Sequence, residues 1–514
     1  MIKNFHRNNF IIYPQKKLLF ALILILFVPS LKASNSYKSE FTPNYLKNET
    51  NIIGKNVNAK KDIYLKINNL KDILEKKNKS IKILKNKVRQ SQANFNSKLA
   101  LWSPRFYLNS NDTPKYSTGN NNNNLSDNTS TNKLSLGLNA NIDWDIIKPS
   151  RRLEIKISAE ELTKSEYLLN SKINDLYLEA IKLFYKIQAT YQEISLAQKS
   201  IEVSELSLLE SQEKYKAGIG NKIEVLEAQT QLERDQIKKV KKIAQLKKNK
   251  NSLYLLLDPE EKYNVEEDSN FTIDFIWNTN LEESLSQAYK NRKDLKIKKK
   301  DISINNKKAM SVKSEHQPEF TLYNQYSLRK SWGENDVSTE PNFNNQNKES
   351  TNNLGIKFTW NLFDGGQIKQ RYISLSNRSN ELQQEFNLSK NQIKSKIIDS
   401  FINLDMSMKS LIYSFNQLNA SKETLEISLK RLDAGLTTQR EIVNIQADLS
   451  ESESNYINSI LDYNITLAEL ERNTLLEKKP ICNLKSKKTE TIKNSFYLFL
   501  IENNLNKKCN THSP

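Results

Sequence analysis

Lys216-Ala217-Gly218-Ile219-Gly220, followed by Ile223-Glu224-Val225-Leu226-Glu227-Ala228-Gln229, has a distant echo. It returns as Asp433-Ala434-Gly435-Leu436-Thr437, followed by Glu441-Ile442-Val443-Asn444-Ile445-Gln446. Gly435 lies 217 positions after Gly218, and Gln446 lies 217 after Gln229. Other landmarks keep nearly the same offset. Pro104-Arg105-Phe106-Tyr107-Leu108 answers Pro318-Glu319-Phe320-Thr321-Leu322 at 214, and Trp144-Asp145-Ile146-Ile147 answers Trp360-Asn361-Leu362-Phe363 at 216. Several separate landmarks at one offset mark a tandem duplication of a long unit.

Each glycine turn ends a stretch without helix breakers. No Gly or Pro lies between Ser150 and Ala217, or between Gln367 and Ala434. Leu169, Ile173, Leu176, Ala180, Leu183, Ile187, Tyr191 and Ile194 recur at steps of four and three, as do Ile397, Phe401, Leu404, Met408, Leu411, Phe415 and Leu418. That stripe packs helix on helix in coiled-coil fashion. The spacing predicts a helix roughly 100 Å long in each unit, a reversal at Gly218 or Gly435, and an antiparallel return. A shorter helical pattern precedes, over 63–99 and again over 281–313.

Between the helical patterns the period drops to two. Leu134, Leu136, Leu138, Ala140, Ile142 and Trp144 alternate with polar residues, and so do Leu354, Ile356, Phe358, Trp360 and Leu362. Partner strands are read over 104–109 and 318–328, with polar loops at 110–132 and 330–353 between them. Runs of about ten alternating residues suit a half-buried soluble strand or a transmembrane β-strand. Each unit thus supplies two strands, four in all. Four strands cannot close a barrel, and lipid does not tolerate open sheet edges. The chain must borrow strands from other copies or stay out of the membrane. Three copies would give twelve strands.

The net charge of +19, from 78 Lys+Arg against 59 Asp+Glu, is spread along solvated helix faces with no basic patch, so no nucleic acid is expected. Three His and two Cys, with no ligand spacing among them, leave no metal site, no cofactor and no clustered catalytic group. Cys482 and Cys509 are either one disulfide or two thiols. Basic residues before the apolar run 18–28 read as a signal peptide over 1–33. The organisation expected is then a polar leader over 34–62, a first repeat over 63–257, an equatorial linker over 258–280, a second repeat over 281–477 and a Lys-rich tail over 478–514.

On these residues the chain resembles the TolC family of outer-membrane efflux proteins. The resemblance spans 63–476 and is carried by the junction Trp360-Asn361-Leu362-Phe363-Asp364-Gly365-Gly366 and by the paired glycine turns. The first junction departs from the pattern, with Lys148-Pro149-Ser150 in place of Asp-Gly-Gly. The resemblance implies a mainly α protein with a membrane β-barrel portion: a homotrimeric, twelve-stranded barrel in outer-membrane lipid above a periplasmic α-helical barrel. It implies a duct, not an enzyme, served by a periplasmic adaptor and an inner-membrane pump. It places adaptor docking at Ala217, Gly218, Ile219, Ala434, Gly435 and Leu436. It places an acidic aperture at Glu441 and Asn444, with Glu224 and Glu227 as first-repeat equivalents. Trp144 and Trp360 would lie in an aromatic girdle at the bilayer interface. A coiled-coil interaction protein without a pore is the alternative reading, and an exported enzyme is a more distant one.

Overall fold

The computed structural model describes residues 63–121, 129–258, 263–265, 271–273, 275–336 and 346–480, together with 496 and 499. The signal peptide, the leader, Cys482 and Cys509 lie outside the described residues.

The first half runs β1 (Ile63–Leu65), α1 (Ile67–Lys77), α2 (Lys79–Leu99), β2 (Arg105–Asn121), β3 (Thr129–Ile147), α3 (Pro149–Lys216) and α4 (Lys222–Leu257). After β4 (Tyr263–Val265) and β5 (Phe275–Ile276), the second half repeats the order. It runs α5 (Leu281–Asn291), α6 (Lys293–Ser314), β6 (Glu319–Asp336), β7 (Gln346–Thr359), α7 (Gln367–Asp433), α8 (Gln439–Thr474) and β8 (Lys479–Pro480). Helix α3 has 68 residues and α7 has 67, so each is about 100 Å long at about 1.5 Å per residue.

Two expectations need correction. The pattern over 63–99 is not one helix. It opens with β1, paired in parallel with β4, and breaks at Asn78, whose extended ψ of 127° interrupts the helix. The Asn78 side chain accepts from the Ile81 N–H, capping α2. The segments 110–132 and 330–353 are not simply loops. β2 and β3 stay paired out to Asn121 and Thr129, and β6 and β7 out to Trp332 and Gln346. There the residues are mostly polar at both odd and even positions, so hydropathy stops alternating while backbone pairing continues.

The strands form one antiparallel sheet in the order β2-β3-β6-β7. Its polarity is inverted relative to a soluble sheet. Phe106, Leu138, Leu354 and Ile356 are 67%, 59%, 71% and 64% exposed, whereas Ser135, Asn139, Asn141 and Ser331 are buried. The polar face is the sheltered one, so the apolar face needs a non-aqueous surrounding. Asn324 and Asn352, the polar interruptions on the apolar face, bond to each other at 2.9 Å. Among the described residues, the outer backbone edges of β2 and β7 have no partner strand.

The helices form an arc below the sheet. Helix α3 packs on α4 and α8, and α7 packs on α8, giving the lateral order α4-α3-α8-α7 in the lower part. Nearer the sheet the order is α2-α3-α6-α7. Of the α3 stripe, Ile173, Leu176, Ala180 and Ile187 enter the main core with Leu253, Tyr463 and Leu467. Of the α7 stripe, Leu404 and Leu411 join them, while Ile397 is buried in a second cluster with Ala288 and Leu295. Phe496 and Phe499 of the tail cover this core, their rings 5.3 Å from Tyr463 and Phe415. The outer helices keep apolar residues in water: Ile402, Met406, Tyr413 and Ile427 on α7, and Ile237, Val240 and Leu255 on α4.

The two strand-to-helix junctions start their helices by different chemistry and different backbone turns, with Lys148 extended and Gly366 left-handed. Asp364 accepts from the Gly366 and Ile368 N–H groups at 2.9 and 2.7 Å, while Gly365 and Gly366 take φ of 68° and 85°. The bond from Ile368 holds the Asp364 carboxyl below its ordinary range. In the first half Pro149 occupies the start of α3 and Lys148 adds no side-chain cap.

Gly333 sits at φ 109°, and a Cβ there would fall 2.0 Å from the Asn132 carbonyl oxygen across the β3–β6 pair. Gly333→Ala should destabilise the outer end of the sheet by about 1–3 kcal/mol. Gly119→Ala, with nothing within 4 Å, should be near neutral. Thermal unfolding followed by the amide I band compares the two; equal midpoints would refute the contact.

Candidate functional site

The sheet wall and the hairpin tips carry the residues that the sequence singles out. At the wall, Trp144 lies near the end of β3 and Trp360 directly follows β7, both on the apolar side. Each indole makes the same bond. Trp144 Nε1 donates to the Trp102 carbonyl at 3.0 Å, and Trp360 Nε1 donates to the His316 carbonyl at 2.9 Å. Each tryptophan therefore ties its strand end to the turn where the preceding helix hands over to the sheet. The Trp102 ring also receives the buried Arg151 guanidinium, 4.4 Å from its centroid.

The opposite end of the apolar band carries a second aromatic row. Strand register sets Tyr116, Leu134 and Trp332 side by side across β2, β3 and β6. Sequence reading missed its two aromatics because Tyr116 and Trp332 fall within segments read as loops. Its available signal was an aromatic in each polar segment.

The hairpin tips are two copies of one turn. Gly218 and Gly435 take φ of 76° and 73°. The Ile219 N–H donates to the Lys214 carbonyl at 3.0 Å, and the Leu436 N–H donates to the Arg431 carbonyl at 2.8 Å. This left-handed closure satisfies carbonyls that the helix ends would otherwise orphan. Ala217 and Ala434 are the residues just before the two glycines. The following residues, Ile219 and Leu436, are 80% and 69% exposed, so each tip presents a bare apolar side chain.

Four acidic-aperture positions were expected here, and the structure divides them. Glu224, Glu227 and Asn444 line one groove of about 350 Å³ between the two hairpins. Glu441 does not line it. The Glu441 carboxylate accepts from the Thr437 hydroxyl, and its N–H donates to Thr438 Oγ1 at 3.4 Å. That keeps its charge in the first turn of α8, where the helix dipole favours an anion. The groove also contains a residue that sequence reading missed: Arg440, whose guanidinium lies 3.2 Å from the Glu227 carboxylate. Arg440 occupies the repeat position of Ile223, and Asn444 that of Glu227. The second repeat thus replaced one carboxylate by an amide and placed a cation against the carboxylate that remains. Comparing the two repeats for charge would have found it.

Above the tips the hairpins meet through small and polar side chains. Lys238 donates to Ser450 at 2.9 Å and Gln439 to Ser207 at 3.0 Å between the hairpins, while within the first hairpin Ser204 donates to Asp235 at 2.6 Å and Lys242 to Glu193 at 2.6 Å. Among the described residues no acidic, His or Cys cluster could hold a metal ion, and no helix is long and apolar enough to cross a membrane.

With this geometry in hand, known proteins are informative. The profile of the family described as outer membrane efflux protein matches residues 70–258 and 284–474. No curated protein matches in sequence. Among solved structures the chain is similar to a membrane protein of Pseudomonas aeruginosa, with a TM-score of 0.65 and 15% identity over 79% of this chain and 93% of that one. It is similar to the Vibrio cholerae outer membrane protein VceC, with a TM-score of 0.64 and 14% identity over 79% and 95%. It is also similar to the Campylobacter jejuni CmeC outer membrane channel, with a TM-score of 0.63 and 15% identity over 79% and 85%.

Neither tip glycine has an atom within 4 Å of where a Cβ would stand. Gly218→Ala or Gly435→Ala should therefore cost only the left-handed backbone penalty, about 1–2 kcal/mol. Faster amide exchange at Ile219 or Leu436, with unchanged exchange at Ile187 and Leu411, is the expected readout. Unchanged tip exchange would show that the turn is not held by the glycine.

Proposed function

The chain belongs to the outer membrane efflux protein family and is an outer-membrane channel, not an enzyme; from that premise we propose that three copies close into the exit duct of a tripartite efflux or type I secretion assembly. The observation that carries this reading is the four-stranded sheet with an exposed apolar face, a sheltered polar face and two raw edges. Pairing β7 of one copy with β2 of the next gives twelve strands and leaves no edge in lipid. The same head-to-tail contact brings the exposed apolar residues of α7 toward α2 and α4 of the neighbour. It is a heterologous interface, which makes a ring when the rotation closes. A pore-free coiled-coil protein would not need a sheet with this inverted polarity.

At the far end of such a ring, the hairpin tips meet a periplasmic adaptor linked to an inner-membrane pump. Ala217, Gly218, Ile219, Ala434, Gly435 and Leu436 are the docking candidates, since small residues flank a bare Ile or Leu there. Glu441 and Glu224 are exposed carboxylates near the same end, and they suit a narrow aperture that favours cations. Glu227 contributes less to such a field because Arg440 lies against it. Trp144 and Trp360 then sit at the periplasmic interface of the bilayer.

Single-channel recording of the purified full-length protein in planar bilayers tests this reading. Stable cation-selective steps are expected. Glu441→Ala should lower the cation-to-anion permeability ratio, and Arg440→Gln should raise it by freeing Glu227. Folded, inserted trimers that never conduct would count against the duct. Selectivity indifferent to both substitutions would remove the aperture from the tips.

A further inference from the structure

The outer end of the sheet holds a charge arrangement that the duct does not use. Register places Lys330 of β6 directly opposite Lys348 of β7. Strand alternation puts both on the side of Leu328, Leu354 and Ile356, the apolar side. Like charges directly opposite on antiparallel strands repel. Lys330 Nζ lies 4.6 Å from the centroid of the Trp332 ring, which takes up part of one charge. Lys348 is exposed. Neither lysine makes an ion pair with a carboxylate among the described residues. The charged neighbours Arg329 and Glu349 are opposite each other in the next row, which alternation assigns to the polar face.

Beside the two lysines opens a groove of about 450 Å³, mostly apolar through Leu136, Leu138 and Leu328 but also reached by Thr113, Arg329, Glu349 and Ser350. Its height is set by the strand. From Phe320 to Lys330 is about ten residues, or about 34 Å of strand at about 3.4 Å each. A tilt of about 40° turns that into about 26 Å, close to the roughly 25 Å apolar band of a membrane barrel. The lysines therefore stand where hydrocarbon gives way to headgroups on the outer side. The row Tyr116–Leu134–Trp332 lies just beyond them.

We propose that Lys330 and Lys348, with Trp332 and the adjoining groove, bind the phosphate headgroup of an outer-membrane lipid, whose acyl chain lies in the groove. The two ammonium groups converge on one anion, and the anion removes their mutual repulsion. The apolar lining commits the site to a lipid: a free phosphate ion would gain nothing from Leu136, Leu138 and Leu328. The site rests on the sheet being immersed in the outer membrane. It spans β3, β6 and β7, with Leu136, Lys330 and Lys348 side by side in one row.

Native mass spectrometry of the delipidated full-length protein in detergent tests this. The probes are phosphatidic acid, the diacylglycerol with the same chains, and inorganic phosphate as competitor. Phosphatidic acid should bind more tightly than diacylglycerol, and the double variant Lys330→Gln, Lys348→Gln should bind it about tenfold more weakly. The double variant Lys330→Arg, Lys348→Arg should retain binding, and Lys348→Gln alone, at an exposed position, covers a folding failure of the pair. Equal binding of phosphatidic acid by wild type and the Gln variants would overturn the proposal. So would displacement of the lipid by inorganic phosphate, which would make this a free-anion site. Protein that inserts and conducts normally yet shows neither preference nor loss would sink the lipid site and leave the duct intact. Failure of the wild type to insert would instead strike the duct reading.

Discussion

The structure depends on one intolerance: a backbone N–H or C=O cannot face hydrocarbon without a partner. The β2-β3-β6-β7 sheet satisfies that condition across three pairings and violates it at both ends. A soluble protein could leave such edges to water. This sheet cannot, because its outward side chains are Leu, Ile and Phe, which place the edges in lipid with them. The single chain is thus an incomplete object, and assembly is part of its folding. The exposed apolar residues of α7 and α4 repeat the demand in the helices, where burial rather than hydrogen bonding is outstanding.

From sheet to tips the cohesion changes in kind. The upper part of α3 packs Ile173, Leu176 and Ile187 into a continuous apolar core. Lower down, the buried positions become Ser204, Ser207 and Ser211, and the contacts become hydroxyl, ammonium and carboxylate bonds. Burial pushes the Glu453 carboxyl above its ordinary range in this same region, with Lys422, Lys199 and Lys238 opposing the shift. Apolar burial rewards one fixed packing, whereas polar contacts that water can replace are nearly balanced between made and broken. The tips are therefore the least tightly held part of the arc, and the end anchored by the sheet is the most.

Much of this was legible because the two periods are unmistakable. Steps of three and four over Leu169–Ile194 and Ile397–Leu418, within long runs that contain no Gly or Pro, leave no other reading than a long helix, and steps of two beside them leave only a strand. The duplication made each assignment twice. Legibility failed where physics stops writing hydropathy. Strand segments 110–121 and 330–336 are mostly polar at both odd and even positions, so nothing in their hydropathy announced the pairing that the backbone keeps. The break at Asn78 was hidden because its neighbours keep helical spacing on both sides. At the tips, Glu224, Glu227 and Glu441 were visible as acids, but the hairpin-to-hairpin approach that sets Arg440 against Glu227 exists only in three dimensions.

The departures between the repeats matter more than their likeness. Three copies of a perfectly duplicated chain would place six equivalent hairpins around a ring, and any charge at one tip would recur six times. Asn444 for Glu227 and Arg440 for Ile223 break that equivalence. In the proposed ring, six potential carboxylates at the Glu227 level would become three, each facing a guanidinium, while Glu224 and Glu441 would keep the acid in both repeats. In such a ring like charges near the axis would repel, and a second ring of six beside Glu224 and Glu441 would add to that repulsion. An amide at every second position, with Arg440 against the rest, would lessen that repulsion where the seam is polar. The divergence at the tips and the weak cohesion behind them are then two sides of one balance: helices held loosely enough to part can carry only as much like charge as will still let them meet.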